Sequence, residues 1–427
     1  MTSRERVLAA IEHRTPDRVP VDYWAHRPVT ERVMAALGVA DFEAMLARLG
    51  VDLRNVRGAA RYVGPEHHYL PDGRECNVWG VPLGSSGTYA SKVTDAPLAS
   101  ATTVAEVERH APFPDPDWWD YAPIADACIA AGDHAVMGGA WSPFFCQAMY
   151  VMGMQELLEA MASQPAVAEA LLTRVADFYL EQSRRHFEAA HGRMDIFFMG
   201  DDYGGQTGPL ISPPMFRRFI KPHLARLFAQ AHDFGIKVML HSCGSVHAFI
   251  PDLLEIGMEA LDPVQVRALD MSAEKLAAEF GADLCFHGSI DTQQTLPFGT
   301  AEDVRAEVRS RLALFPQGGL ICGPSQEFMA DVPTANILAL YEAAGAYSPE
   351  AGAAAGRHCL AFAATGPRAT QGRPRAADHT PVPLRLVSAR PGARGVRRRR
   401  APAPRFRASR PVREDVTAAP RRLRAHI

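Results

Sequence analysis

The chain has 427 residues, of which 47% are hydrophobic and 22% charged, so it is long enough to bury a sizeable apolar core. Its formal net charge of −3 hides an uneven distribution, because residues 351–427 hold 18 Arg, no Lys and three acids. The first 350 residues are therefore acidic, which argues against nucleic-acid binding there, while the basic end can contact polyanions nonspecifically.

The cysteines and the N-terminus predict the compartment. Seven scattered cysteines lack the spacing of a disulfide framework, which favours a reducing environment. The first residues lead into an amphipathic helix rather than an apolar signal core, and no apolar run approaches the roughly 18 residues that span a membrane. We therefore expect a soluble, cytoplasmic protein with no membrane partner.

The N-terminal part of the chain predicts helices, two strands and an insertion. A helix over residues 3–13 precedes a strand at Val19–Trp24, and a helix over residues 30–49 precedes a strand at Val51–Val56. Residues 60–100 are rich in Gly, Pro and isolated hydrophobic residues. This texture predicts a β-rich insertion.

Beyond residue 134 the predicted strands alternate regularly with helices. Six strand candidates lie near residues 135, 196, 238, 261, 285 and 320. Such alternation predicts right-handed βαβ units and a parallel sheet. With the two earlier strands, residues 1–347 are predicted to form a single-domain α/β fold, a (β/α)8 TIM barrel. An open, doubly wound sheet is the alternative, but no Gly-x-Gly-x-x-Gly follows the first strand.

The composition changes after Pro349. Residues 351–427 contain nine Pro and the run Arg397–Arg400, without sustained apolar periodicity. This composition predicts a disordered tail over residues 348–427. The tail is interpreted either as a polyanion-binding arm or as an extension without function.

Polar side chains gather at the predicted carboxyl ends of the strands, where the active site of such a barrel lies. They include Asp22, Tyr23, Asp201, Asp202, Tyr203, His241, Cys243, Asp262, Gln265, His287, Asp291, Cys322 and Gln326. Any one of them could be a helix cap or a hydrogen-bonded core residue. So many at successive strand ends indicate a catalytic mouth.

A His-x-Cys pair ends the apolar stretch that begins at Gly235. Residues two apart on a strand project to the same side, so His241 and Cys243 can supply two ligands to a thiophilic metal such as Zn²⁺. Cys322, at the end of strand eight on the same rim, can supply a third. One imidazole and two thiolates would leave a fourth position open, as catalytic zinc requires.

Five motifs resemble the uroporphyrinogen decarboxylase superfamily. They are Gly200–Gly208, His241–Ser245, Gly288–Gln293, Leu296–Thr300 and Asp331–Leu338. The resemblance covers residues 1–346 and implies a (β/α)8 barrel. One branch of the superfamily decarboxylates uroporphyrinogen without a metal, and another consists of zinc-dependent corrinoid methyltransferases.

The motifs resemble the methyltransferase branch more closely. Decarboxylases carry an Arg-rich N-terminal motif, whereas Val21–Pro28 has only Arg27 as a cation. Their Gly-His-Gly near the eighth strand corresponds here to Ser325–Glu327.

The zinc ligands of the methyltransferases are a His-x-Cys pair and a later Cys, which His241, Cys243 and Cys322 match in type and order. Cys322 precedes Pro333 by eleven residues, a longer spacing than in those enzymes. The resemblance therefore leaves Glu327 or a water as an alternative third ligand.

The resemblance implies methyl transfer between methylcobalamin on a separate corrinoid protein and a small, zinc-activated thiol or similar acceptor. Asp201 and Asp202 would orient ligands or take a proton. Substrate contacts would come from Asp22, Tyr23, Tyr203, Gln206, His287, Asp291 and Gln326. Two alternatives stay open: metal-free decarboxylation of uroporphyrinogen or a related carboxylate, and noncatalytic binding of a tetrapyrrole or corrinoid protein.

Overall fold

A computed structural model describes residues 1–83, 93 and 95–349 of the chain. Part of the predicted insertion and the predicted tail from residue 350 onward, including Cys359, lie outside the described residues. In chain order the strands are β1 Leu53–Asn55, β2 Arg61–Tyr62, β3 His68–Tyr69, β4 Glu75–Cys76, β5 Trp119–Asp120, β6 Ala135–Gly138, β7 Ile196–Gly200, β8 Gly204–Gly205, β9 Gly208–Pro209, β10 Lys237–His241, β11 Ala260–Asp262, β12 Cys285–Ile290 and β13 Leu320–Pro324.

The helices of the described residues precede, separate and follow these strands. They are α1 Ser3–Ile11, α2 Arg27–Leu37, α3 Phe42–Leu49, α4 Val104–Arg109, α5 Pro123–Ala130, α6 Phe144–Met152, α7 Met154–Ser163, α8 Pro165–Ala189, α9 Pro213–Phe219, α10 Lys221–Asp233, α11 Ile250–Glu255, α12 Ala273–Phe280, α13 Thr295–Phe298, α14 Ala301–Leu314 and α15 Thr334–Ala343. None of these helices is long and apolar enough to cross a membrane.

Seven strands form one parallel sheet in the order β1-β6-β7-β10-β11-β12-β13. The order of these strands in the sheet is their order along the chain. From β6 onward helices connect consecutive strands, which is the βαβ arrangement. Strand β7 has all five residues, Ile196–Gly200, buried. Continuous apolar runs of this kind are expected where helices cover both faces of a parallel sheet or where the sheet curls on itself.

The interior side chains of the sheet show that it curls. One cluster of buried side chains contains residues from all seven strands, and two residues of α1 complete it. Its members are Val7, Ile11, Leu53, Ala135, Met137, Ile196, Phe198, Met239, Ala260, Cys285 and Ile321. Helix α1 contacts both β1 and β13, the first and last strands of the sheet, so the two edges lie close together and the prediction of an α/β barrel architecture is confirmed at this level.

The predicted first strand is not a regular strand. Val21 and Ala25 form isolated bridges to Cys322 and Phe328 instead. The Cys322 amide donates to the Pro20 carbonyl (2.8 Å), and the Asp52 amide donates to the Val21 carbonyl (2.9 Å). Residues 20–22 therefore lie between β13 and the residue before β1, and seven strands replace the predicted eight.

The described part of the predicted insertion contains short antiparallel strands. His68 pairs with Cys76 between β3 and β4. Tyr62 pairs with Trp119 between β2 and β5. These strands lie apart from the parallel sheet, so the candidate site is built on the latter.

Candidate metal centre

Three polar side chains point into the barrel from adjacent strands. Met239 and Ala260 belong to the interior cluster, and the residues two further on are His241 in β10 and Asp262 in β11. Alternation along a strand therefore turns His241 and Asp262 inward at the carboxyl ends. The two residues are register partners, and His287 of β12 extends the row because it lies two residues beyond the interior Cys285.

The strongest candidate for metal binding is a cluster of Asp202, His241 and Cys243. One ligand atom from each residue lies within 4.8 Å of the others. The Nε2 atom of His241 is 3.4 Å from Cys243 Sγ and 3.9 Å from Asp202 Oδ1. We refer to these three residues as the ligand trio. Their nitrogen, sulfur and oxygen atoms form a donor set that suits Zn²⁺.

A hydrogen bond and a close backbone crossing position the two loops that carry the trio. The Cys243 amide donates to Asp202 Oδ1 (3.0 Å), which joins the loop after β10 to the loop after β7. The next residue, Gly244, has φ +77°, and a Cβ there would lie 2.5 Å from the Gly204 backbone. Only glycine fits this close crossing of two chains.

Asp262 connects the trio to a second histidine. Its Oδ2 accepts from His241 Nδ1 (2.5 Å), and its Oδ1 accepts from His287 Nδ1. The Nε2 atom of His287 donates to Asp22 Oδ2 (3.1 Å). His241, Asp262, His287 and Asp22 thus form one buried polar chain.

Opposing effects govern the pKa values in this row of hydrogen-bonded side chains. Burial lowers the pKa of His241, but hydrogen bonds to Asp262 and Cys243 outweigh it and raise the pKa to about 10. Burial likewise opposes the shift at His287, where Asp262 and Asp22 raise the pKa to about 10. Conversely, burial favours protonated Asp262, yet the two imidazoles hold the pKa of its carboxyl well below its usual range.

The structure does not bring Cys322 to the trio. Ile321 faces the barrel interior, so the neighbouring Cys322 faces outward, where it packs among apolar side chains such as Phe328 and Val21. Burial raises the pKa of its thiol to about 12, which disfavours the thiolate that binds metals. Instead, Gln326 donates from Nε2 to Cys243 Sγ (3.2 Å).

Asp201, predicted to be catalytic beside Asp202, caps a helix. Its carboxylate accepts from the amides of Phe145 (2.6 Å) and Cys146 (2.9 Å) at the start of α6. Burial raises the pKa of this carboxyl to about 7. The side chain therefore anchors α6, while Asp202 alone joins the trio.

Tyr203 was expected in the substrate pocket but lies in the core. It has 0% exposure and contacts the rings of Phe145 and Phe216. Its hydroxyl donates to Asp201 Oδ2 (3.5 Å). Tyr203 is therefore a packing residue behind the end of β7 in this structure.

A cavity of about 620 Å³ lies inside the mouth of the barrel. Its lining includes Asp22, Tyr23 and His287, three of the residues predicted to contact substrate. The wall also includes Arg57 and Phe198. Large apolar surfaces with a few charged groups are typical of small-molecule sites.

The other predicted residues lie at the rim. Asp291 and Gln326 line a second cavity of about 200 Å³, and Asp291 accepts from Arg267 Nε (2.6 Å). Exposed Gln206 donates to Gln265 Oε1 (3.4 Å), which also accepts from the Gly244 amide.

Two residues that shape the centre, Arg57 and Trp141, were not singled out from the sequence, whereas Trp24 ends the predicted first strand. Trp141 packs against His241 with ring centroids 5.2 Å apart, and Trp24 does so at 5.6 Å. The Arg57 guanidinium stacks on Trp141 at 4.3 Å. Arg57 lies two residues after the end of β1, a position that could have indicated a site residue. No local sequence pattern marks Trp141.

Comparisons with known proteins point to one family. The family model described as Uroporphyrinogen decarboxylase (URO-D) matches residues 83–347. The uroporphyrinogen decarboxylase of Mycobacterium ulcerans (strain Agy99) is 27% identical over 293 residues, covering 64% of this chain and 76% of that protein. The methylcobamide:CoM methyltransferase MtaA of Methanosarcina barkeri is 30% identical over 139 residues, covering 32% and 38%.

A solved structure gives the same fold. A methyltransferase from Methanosarcina mazei superposes with a TM-score of 0.55 at 19% identity, covering 81% of this chain and 98% of that chain. At this identity the likeness supports the fold alone.

Proposed function

This chain belongs to the uroporphyrinogen decarboxylase family, and from that premise we propose that it is a metal-dependent methyltransferase. Its relatives include enzymes named as decarboxylases and as methyltransferases. The observation that carries the choice is the ligand trio, whose donor atoms lie within 4.8 Å of one another. A metal-free decarboxylase has no need for such a convergence.

The proposed metal is Zn²⁺, held by Asp202, His241 and Cys243. Imidazole, thiolate and carboxylate are all zinc ligands, and three protein ligands leave one position for an exchangeable group. The pairing of His241 Nδ1 with the Asp262 carboxylate supports this assignment, because it leaves Nε2 to face the other two ligands. Bound zinc would supply a Lewis acid that lowers the pKa of an acceptor thiol.

The surrounding residues orient the trio and restrict water. Asp262 fixes the tautomer and orientation of His241. The Gln326 amide donates to Cys243 Sγ and so directs the sulfur. Trp24 and Trp141 pack against the His241 ring and shield it with apolar surface.

The proposed reaction moves a methyl group between a corrinoid on a separate protein and a small thiol or similar acceptor. The support comes from the relatives named methylcobamide:CoM methyltransferases. In the direction of the thiol, a sulfur–carbon bond forms as the donor's bond to carbon breaks, and the thiol proton leaves. The cavity whose lining includes Trp24, which packs against the His241 ring, would hold the acceptor.

Decarboxylation is the second candidate, because the alignment with a named uroporphyrinogen decarboxylase spans 76% of that protein. The cavity fits this substrate less well. Its lining contains two guanidinium side chains, Arg54 and Arg57, and Arg54 already pairs with Glu43 (2.6 Å). Among the described residues of the lining, Arg57 is then the one guanidinium without a carboxylate partner, which is few for the several carboxylate arms of uroporphyrinogen.

Metal analysis of the purified full-length protein tests the proposal. We expect near-stoichiometric zinc, lost in Cys243→Ala and His241→Ala and weakened in Asp202→Asn. Cys322→Ala is the matched control, because this cysteine is buried on the outer side of β13 and its loss should leave zinc in place. A metal-free wild-type protein would overturn the transferase and favour the decarboxylase.

Activity separates the catalytic proposal from a binding role. The zinc-loaded protein should demethylate methylcobalamin in the presence of a small thiol. The change in corrinoid absorbance measures this reaction. Zinc binding without turnover of methylcobalamin, alone or on a corrinoid protein, would favour a noncatalytic member of the family.

A further inference from the structure

The cavity at the barrel mouth continues past β1 toward the helices outside the sheet. Its lining includes Leu53, which belongs to the interior cluster, and the adjacent Arg54, which therefore points to the opposite face of the strand. Arg54 pairs there with Glu43 of α3 (2.6 Å). Residues of α3 and α5 line the cavity as well. A cavity lined from both faces of one strand is not confined to the barrel interior.

The N-terminal segment leaves a gap beside β1. On one side β1 pairs with β6 in a regular ladder. On the other side the Asp52 amide donates to the Val21 carbonyl (2.9 Å), but the segment then turns to Phe328, whose amide donates to the Trp24 carbonyl (2.9 Å). Within the described residues no ladder joins β1 to this segment. Trp24 and Asn55 line the cavity from the two sides of the gap.

The outer part of the cavity is apolar. Its apolar side chains come from α3, from the residue after β1 and from the end of α5, and we refer to them as the apolar lobe. They are Phe42, Leu46, Val56, Ala127, Ala130 and Ala131. Phe42 is 50% exposed. Exposed apolar surface at a concave site is typical of a surface that a ligand covers.

The inner part of the same cavity is polar and lies near the candidate metal site. Asp22 and His287 line it and are joined by a hydrogen bond (3.1 Å). Trp24 also lines it and packs against the His241 ring at 5.6 Å. A molecule that fills the cavity therefore meets apolar surface at one end and hydrogen-bonding groups at the other.

The size of the cavity favours a molecule of this kind. Its volume of about 620 Å³ lies within the roughly 300–1,000 Å³ of cavities that enclose drug-sized ligands. A thiol of a few atoms beside His287 would leave the apolar lobe in contact with water. Each methylene group buried there instead should raise affinity about fourfold.

We infer that the cavity binds an amphiphilic molecule, with an alkyl or aromatic portion against the apolar lobe and a hydroxyl or thiol end beside Asp22 and His287. The role of this molecule as the methyl acceptor rests on the proposed function. The apolar lobe itself rests on the cavity alone.

Direct binding to the full-length protein tests the inference. The probes are 2-phenylethanol and 4-phenyl-1-butanol, which share a ring and a hydroxyl group and differ by two methylene groups. We expect 4-phenyl-1-butanol to bind about tenfold more tightly by calorimetry. Equal affinities, or no binding of either alcohol, would overturn the inference.

Ala130→Phe assigns this preference to the apolar lobe. Ala130 is exposed and lines the cavity, so a phenyl group there fills the lobe without crowding the core. We expect 4-phenyl-1-butanol to bind about tenfold more weakly. Ile129→Phe is the matched control, because Ile129 is the neighbouring exposed residue (59%) and does not line the cavity. An equal effect of the two substitutions would contradict the assignment.

Phe42→Ala keeps the inference testable if Ala130→Phe does not fold. It removes a half-exposed ring from the lobe and should weaken binding of 4-phenyl-1-butanol. Phe298→Ala is its control, because Phe298 is 73% exposed and lies outside the lining. Unchanged binding in Phe42→Ala, or the same loss in both variants, would count against the lobe.

Chelator treatment separates this inference from the proposed function. The phenyl alcohols contain no sulfur, so their difference in affinity should persist in chelator-treated protein. That result would support the apolar lobe even if zinc and methyl transfer were absent. Methyl transfer to 2-mercaptoethanol by a zinc-containing protein that binds the two phenyl alcohols equally would overturn the lobe and leave the proposed function standing.

Discussion

At the scale of single residues, the Asp262 carboxylate has the largest influence on the candidate site. It is 1% exposed and accepts a hydrogen bond from each of His241 and His287. Two imidazoles from neighbouring strands are thereby held in fixed orientations. A buried charge shared in this way is stable only while both partners are present.

Asp262→Asn tests this role. The amide keeps the shape of the carboxylate but loses its charge and one acceptor, so His241 is held less firmly. We expect zinc affinity to fall about 10- to 100-fold, measured by competition with a chelating dye.

Asp252→Asn is the control for Asp262→Asn. Asp252 is also buried, and it accepts from Arg217 (2.9 Å) and Lys221 (2.8 Å) away from the site. Its replacement should lower stability without changing zinc affinity. An equal loss of zinc in both variants would assign the effect to general destabilisation.

At the scale of elements, β7 ends in a glycine that makes room for Trp141. The Gly200 amide donates to the Trp141 carbonyl (2.7 Å), and a Cβ on Gly200 would lie 2.2 Å from the indole. The indole in turn contacts both the Arg57 guanidinium (4.3 Å) and the His241 ring (5.2 Å). One strand end thus fixes the position of the indole that packs against the proposed metal site.

Gly200→Ala should disturb the proposed metal site. The added methyl group forces the indole to move, and overpacking of this kind costs about 1–3 kcal/mol of unfolding free energy. We expect lower stability in urea and weaker binding of zinc. Gly58→Ala is the control, because a Cβ there meets no atom within 4 Å; comparable effects in the two variants would contradict the role of Trp141.

At the scale of the whole molecule, a buried histidine links folding to pH. His186 in α8 is 3% exposed, and its Nδ1 has no hydrogen-bond partner among the described residues. Burial lowers the pKa of His186 to about 4, and the charge of Arg57 acts in the same direction. The folded protein therefore needs His186 neutral, whereas the unfolded chain protonates it near its ordinary pKa.

The predicted result is a loss of stability on acidification. The contribution of His186 is fully present above pH 6.5, the ordinary pKa, and is lost as the pH falls toward about 4. The loss amounts to about 3 kcal/mol. In urea unfolding at pH 7.5 and 4.5, His186→Phe should lose less stability than wild type over this interval. The same pH dependence in both proteins would contradict the assignment.

Much of the architecture could be predicted from the chain itself. Seven of the eight predicted strands are present, because buried parallel strands require continuous apolar runs that are visible in the sequence. The exception, residues 19–24, forms bridges to Cys322 and Phe328 rather than a ladder. Local periodicity cannot distinguish an isolated bridge from a strand, because the two differ in their hydrogen bonds to chain segments that lie far away in the sequence.

By itself the sequence predicted the pairing of His241 with Cys243, because residues two apart in an extended chain project to the same side. Only the tertiary structure decided their partners. The interior position of Ile321 turns Cys322 outward, while the crossing of two loops brings Asp202 to the trio. Distances between residues far apart in the chain depend on sheet curl and register, which no local pattern specifies.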